Sequence, residues 1–210
     1  MAVTLYVDKF WISPYAFTAY VALEEKGVAF TTKDVSLGDQ EHKTADYLRR
    51  SVTGRVPMLM HGDFALAESS AIAEYVDEAF DGPRLFPADP EERARARQLL
   101  AWIRSDLLAL REERSTTTMF YERATRPLSM KGQAAADKLV DVARSLIPFG
   151  ATTLFRTWSI ADADLGFLLH RLILNGDPMP DHLREYARTQ WERQSVTAYV
   201  QRHRPPYVPY

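Results

Sequence analysis

The stretch VTLYVDKFWISPYAFTAYVALEEKGVAFTTKDV, residues 3–35, decides the fold. Val3 to Val7 is short, β-branched and aromatic and reads as a strand, and Phe30 to Val35 reads as another. Between them the ends of a helix are marked by residue type. Ser13 suits the N-cap, Pro14 the first turn and Gly27 the left-handed position past the C-terminus. Phe17, Tyr20 and Val21 recur at helical spacing and define its buried face. Strand, helix, strand is the opening unit.

Downstream, Glu41 to Arg50 reads as a short helix and Ser51 to Arg55 as a loop into Val56-Pro57, where proline heads a third strand, Met58 to Met60. His61-Gly62-Asp63 turns the chain into Phe64 to Leu66, with glycine supplying a positive φ. Ala71 to Phe80 then forms a helix with Ile72, Tyr75 and Val76 on one side. Three prolines and a glycine between Asp81 and Pro90 make a linker. Beyond it the periods become long and helical: Glu91 to Arg114, Lys131 to Leu146, Ile160 to Leu174, Asp181 to Arg193 and Ser195 to Arg204. The proline-rich tail from Arg204 to Tyr210 cannot be helical. The expected organisation is an α/β domain of βαβ-ββα order at residues 1–80, a linker at 81–90, and an all-helical bundle domain at 91–210.

Composition narrows the function. The chain has 210 residues, 46% of them hydrophobic and 26% charged, which is the soluble globular range and excludes disorder for most of it. No stretch has the length and apolarity of a membrane span, and Asp8 and Lys9 interrupt the first apolar run, so no signal peptide is expected and a cytoplasmic address is. There is no cysteine, which rules out a disulfide framework, a cysteine zinc site and a cysteine nucleophile. Any thiol chemistry must borrow a thiol. Residues 1–80 carry seven Lys and Arg against twelve Asp and Glu, whereas the remainder is net basic, so the charge also divides at the linker. With a pI near 6.2 and no basic run, neither nucleic acid nor an anionic membrane is expected as a partner. The five histidines, at 42, 61, 170, 182 and 203, include no i, i+4 pair, so no metal is expected. The nine glycines form no dinucleotide, P-loop or nucleophile-elbow motif.

Three ordered segments carry a resemblance that runs through nearly the whole chain. Ser13-Pro14-Tyr15, Gly54-Arg55-Val56-Pro57-Met58-Leu59 and Leu66-Ala67-Glu68-Ser69-Ser70-Ala71-Ile72 resemble the Ser-Pro-Phe/Tyr, Gly-Lys-Val-Pro-x-Leu and Leu-x-Glu-Ser-x-x-Ile segments of the cytosolic glutathione transferases. Within that family the chain looks most like the bacterial serine-type enzymes of the YfcF kind. The resemblance implies a thioredoxin-like first domain, a helical second one, glutathione as co-substrate without a metal, a small electrophile as the other substrate, a homodimer, and a role in detoxification. Dimerisation also has a reading in the residues, since Glu91 to Arg114 carries more apolar surface than one small bundle covers.

The implied site residues suit that chemistry. A thiol near its free pKa of about 8.5 is mostly protonated at neutral pH and reacts only as thiolate. On spacing alone Ser13 is a helix cap; in the resembled enzymes such a serine donates a hydrogen bond to the glutathione thiolate, beside the positive end of the helix it begins. Pro57, implied to be cis, would let the Val56 backbone pair with the peptide-like ligand, although spacing alone fits an ordinary trans proline. Ser69 and Glu68 would hold the γ-glutamyl carboxylate and ammonium at the next helix start, or simply cap that helix. Arg55, His42 and Lys43 lie where the family holds the glycine carboxylate, and as solvated charges they would need no explanation. Tyr6 and Tyr15 are the alternatives to Ser13. Arg111, Met119, Phe120 and Tyr121 are the candidate acceptor-site residues, expected between the domains, though aromatic and Met residues at helical spacing also suit a core.

Trp158 to Asp164 resembles the family's capping box at the central helix of the second domain, a folding device of Ser159 and Asp162. The reaction would attack a carbon centre, a peroxide oxygen or a disulfide sulfur, without a protein-bound mixed disulfide because cysteine is lacking. The competing reading is a non-catalytic transferase-like module that binds another protein.

Overall fold

The computed structural model describes residues 1–209 and divides into two compact units: Met1–Leu85 with Gln201–Tyr210, and Phe86–Val200. In the first unit β1 (Val3–Asp8), α1 (Pro14–Glu25) and β2 (Thr31–Val35) follow one another, then a 3-10 turn (Glu41–Lys43) and the short α2 (Ala45–Arg50). The hairpin strands β3 (Met58–His61) and β4 (Phe64–Ala67) and helix α3 (Ser69–Ala79) complete it. The sheet order is β2-β1-β3-β4, with β1 and β2 parallel and the other pairs antiparallel.

Local chemistry sets these boundaries. Ser13 caps α1, its Oγ accepting from the Ala16 N–H at 3.2 Å, Pro14 occupies the first turn, and Gly27 leaves the helix at φ 65°. Leu5, Val7, Phe17, Val21, Leu59 and Ile72 are buried completely, so the core lies between the sheet and the helices α1 and α3. A buried ion pair, Lys26 Nζ to Asp77 at 3.1 Å, ties the end of α1 to α3. Gly82, at φ 124°, passes so close to the Lys26 carbonyl that a Cβ there would come within 2.8 Å of its oxygen.

The second unit is helical: α4 (Pro90–Ser105), α5 (Leu108–Glu113), α6 (Thr116–Phe120), α7 (Met130–Leu146), α8 (Ile160–Ile173), α9 (Asp181–Trp191) and α10 (Gln194–Val200). Helix α8 is its axis, buried on every side from Ile160 to Leu172, with Asp162, Asp164, His170 and Arg171 buried along with its apolar residues. At Gly166 a Cβ would lie 2.7 Å from that of Gln190, so the missing side chain lets α8 and α9 approach.

One expected helix is two. Glu91 to Arg114 breaks at Asp106–Leu107, where Leu107 turns to φ 61°. Asp106 stabilises the break by accepting from the Leu107 N–H at 2.7 Å and the Trp102 indole at 3.0 Å. Arg111 then reaches back to the Arg104 carbonyl at 2.7 Å, satisfying an acceptor the ended helix leaves open. Much of the expected apolar stripe is thereby covered: Leu99, Leu100, Leu107 and Leu110 are buried and Leu108 stands out at 60% exposure. The tail, counted with the helical part by its position in the sequence, packs within the first unit.

Candidate functional site

Strand register brings the three motif segments to one end of the sheet. Tyr6 on β1 faces Met58 at the start of β3, and Met58 faces Ala67 at the end of β4. Asp8, at the end of β1, faces Val35, at the end of the parallel β2. The loop to Ser13, the Val56-Pro57 pair, Glu68-Ser69 and the turn with His42 and Lys43 therefore all leave or enter the sheet at the same edge, although up to 56 positions separate them in the chain. The bond Val56–Pro57 is cis. Val56 packs with Val35, Tyr47 and Met58, which fixes the segment from beneath.

Ser13 is half-buried at the α1 N-cap. A hydroxyl can accept and donate at once, so capping Ala16 does not consume its proton. Its backbone is held by Asp8, only 1% exposed, whose two carboxylate oxygens accept from Ile12 N–H at 2.8 Å and Ser13 N–H at 2.9 Å. Burial pushes the Asp8 carboxyl above its ordinary range, and those N–H groups together with the Arg204 charge pull it partly back.

Ser69 is the first residue of α3 and is 3% exposed, while Glu68 before it is exposed at φ 73°. A glutamate in the left-handed region stores strain of about 1 kcal/mol or more, which persists where the surroundings enforce it. Arg55 is exposed and its carbonyl accepts from the Tyr47 hydroxyl at 2.9 Å. Lys43, also exposed, reaches the Gly54 carbonyl at 3.4 Å. His42 is half-buried with Nδ1 buried and unpartnered among the described residues, and burial lowers its imidazole pKa. Gly54, at φ 57°, lies against this turn, with its absent Cβ only 3.5 Å from the His42 carbonyl oxygen. Tyr6 is half-buried on β1 with the Tyr47 ring at 6.1 Å, and Tyr15 is half-buried in the first turn of α1.

The four acceptor-site candidates lie in the helical unit. Met119 is 3% exposed, Phe120 packs on Phe167 at 6.0 Å between centroids, and Arg111 serves the helix break described above. Tyr121, half-buried, follows α6. Among the described residues no group of His, Cys, Asp and Glu could hold a metal ion, and no helix is long and apolar enough to cross a membrane.

Three residues that sequence reading passed over belong to this edge: Asp8, Trp11 and Arg204. A charged residue closing an apolar strand, five positions before an N-cap serine, is a signal that could have found Asp8. The positive φ of Trp11 and the return of Arg204 leave no local signature.

Comparison with known proteins bears on the family and the fold. A family model for the glutathione S-transferase N-terminal domain matches residues 1–78, and one for the C-terminal domain matches residues 89–203. A glutathione transferase homologue from Burkholderia, whose crystal structure contains bound glutathione, is 39% identical with a TM-score of 0.77 over 96% of this chain and 97% of that one. Glutathione S-transferase 1 of Dianthus caryophyllus is 40% identical over 85 residues, 40% of this chain and 38% of that protein. Glutathione S-transferase U2 of Arabidopsis thaliana is 28% identical over 171 residues, 74% of each chain. The match to the Dianthus relative thus spans about two fifths of its length.

Proposed function

This chain belongs to the glutathione S-transferase family, and from that premise we propose that it activates the thiol of glutathione for attack on a small electrophile. The observation that carries the proposal is the convergence of Ser13, Val56-Pro57 and Glu68-Ser69 at one sheet edge, drawn together by strand register. Ser13 donates to the thiolate, and the first amides of α1 add positive potential. Val56 pairs through its backbone with the cysteinyl unit of the ligand. The Ser69 hydroxyl and the α3 amides receive the γ-glutamyl carboxylate, and Glu68 meets the ammonium. Arg55, His42 and Lys43 supply positive charge for the glycine carboxylate.

No metal is needed, because the developing charge resides on sulfur and hydrogen-bond donors stabilise it. Electrophile, peroxide and disulfide substrates remain consistent with this arrangement; without cysteine, any disulfide reduction proceeds between glutathione molecules and substrate alone. Phe120 and Tyr121 are the acceptor-side residues we favour, since both stay partly accessible within the helical unit. We also propose a cytoplasmic homodimer, supported by exposed apolar side chains at Leu48, Val52, Phe64 and Leu108. Calorimetric titration with glutathione tests the site. Saturable binding with one ligand per chain, weakened by Ser69→Ala, is the expected result. Absence of heat at millimolar glutathione would replace this reading with a non-catalytic binding module. Light scattering at micromolar protein should give twice the chain mass.

A further inference from the structure

The peptide unit between Trp11 and Ile12 is gripped at both ends. Its N–H, on Ile12, donates to Asp8 Oδ2 at 2.8 Å, and its carbonyl, on Trp11, accepts from Arg204 Nε at 3.1 Å. The next N–H along, that of Ser13, donates to the other Asp8 oxygen. Asp8 is local to the loop, whereas Arg204 comes from 193 positions further along the chain.

Trp11 needs such support. It sits at φ 54°, a left-handed conformation that a residue with a Cβ adopts only where its neighbours enforce it. Its N–H donates to the Asp8 carbonyl at 2.9 Å and its indole to Asp34 Oδ1 at 2.9 Å. From the tail, the Arg202 guanidinium lies 3.7 Å over the indole centroid, and the Tyr207 ring packs edge-on against Phe10 at 5.1 Å. The residues on either side of the strained position are therefore fixed from within by Asp8 and Asp34, and from outside by the last turn of chain.

We propose that Arg204, with Arg202 and Tyr207, is a positioning device for Ser13: the C-terminal tail clamps the Phe10–Ile12 loop and so sets the direction in which the serine hydroxyl presents its proton. This rests on the reading of Ser13 as the thiolate donor. Arg204 is a positioning residue that acts through the Trp11 carbonyl. A misdirected donor's hydrogen bond weakens steeply once its angle falls below about 120°, and such a bond to a charged group is worth a factor of roughly ten or more in rate.

The test compares full-length wild type with Arg204→Ala and Arg204→Lys, using two readouts. Hydrogen exchange of the Trp11, Ile12 and Ser13 amides should accelerate about tenfold in Arg204→Ala while α8 exchanges as before, and Arg204→Lys, which retains a cationic donor, should exchange more slowly than Arg204→Ala. In steady-state conjugation, kcat should fall roughly tenfold in Arg204→Ala with the KM for glutathione held within about twofold, because the neutral thiol gains little from the serine donor. Arg204→Lys should recover part of that kcat. Unchanged exchange at Trp11 to Ser13 in Arg204→Ala overturns the clamp. Equal losses in kcat and in folded fraction, with no recovery by lysine, also overturn it, since they mean that the tail only stabilises the fold. If the wild type turns over no electrophile, it is the transferase reading that fails, and the exchange measurement still decides whether the tail fixes the loop.

Discussion

Each unit contains a buried helix begun by a serine beside an aspartate, and the two pairs are wired differently. At α8, Ser159 is fully buried, and both its N–H and its hydroxyl donate to Asp162 Oδ2, at 2.8 and 3.0 Å. The other Asp162 oxygen accepts from Leu154 N–H at 2.7 Å and the Tyr186 hydroxyl at 2.9 Å. At α1, Ser13 is half-buried, and the Asp8 carboxylate accepts from the backbone N–H groups of Ile12 and Ser13. The carboxylate in the second unit accepts from both the serine N–H and its hydroxyl; the one in the first holds the serine N–H, while the Ser13 Oγ caps the Ala16 N–H. The same two residue types make a sealed folding device in one place and, in the function proposed above, serve a thiolate donor in the other.

The largest expected effect lies on the sealed side. Asp162→Ala strands four donors in the core, and at about 1–3 kcal/mol for each unsatisfied group, less than additively, the loss should reach about 4 kcal/mol. A fall in the melting midpoint on the order of 10 °C follows. A drop below ~2 °C would mean that water satisfies those donors and that the two pairs are less different than the geometry implies.

Next comes acidity along the same helix. His170 on α8 is 5% exposed, stacks on Trp191 at 3.9 Å and bonds the Gly166 carbonyl through Nδ1 at 2.8 Å. Burial lowers its pKa to about 4. Below pH ~6.5 the unfolded chain takes up a proton that the folded chain refuses, so stability falls as pH drops from 6.5 towards 4, by about 3 kcal/mol in all. Urea unfolding at neutral and mildly acidic pH should show that loss in the wild type and much less of it in His170→Phe. A parallel decline in both proteins would assign the acid sensitivity to other groups.

On the side of α1, Ser13→Ala should lower turnover roughly 10- to 150-fold, the rate equivalent of a charged hydrogen bond of about 1.5–3 kcal/mol. Thiolate absorbance should show the pKa of bound glutathione rising in the variant, with stability reduced by only about 1 kcal/mol for the lost cap. If rate and thiol pKa both survive, Ser13 is a cap like Ser159, and Tyr6 or Tyr15 becomes the donor to test. The smallest effect belongs to Ser159→Ala, a loss of about 1 kcal/mol in stability with turnover per folded molecule unchanged. A change in turnover there would erase the distinction between the two serines.

Much of this was legible in the residues because it is governed locally. Ser13, Pro14 and Gly27 bound α1 as their cap, ring and missing Cβ require, and Asp63 follows Gly62 at φ 59° in the hairpin turn. The three motif segments, the all-helical second part and the Ser159–Asp162 device could likewise be read from short windows. The break after Ser105 could not, since Leu107 is unremarkable in sequence and becomes left-handed only where Asp106 and Arg111 satisfy the opened helix ends.

The sequence by itself determined which residues cap, turn and line the faces of each element, because those preferences arise within a few bonds. Only the tertiary structure decided that Asp8 is buried, that Trp11 and Glu68 adopt φ of 54° and 73°, and that Arg204 returns to the first loop. Each of these opposes a local preference, a charge removed from water or a Cβ forced into the left-handed region, and is stabilised by donors, charges and rings supplied from distant parts of the chain.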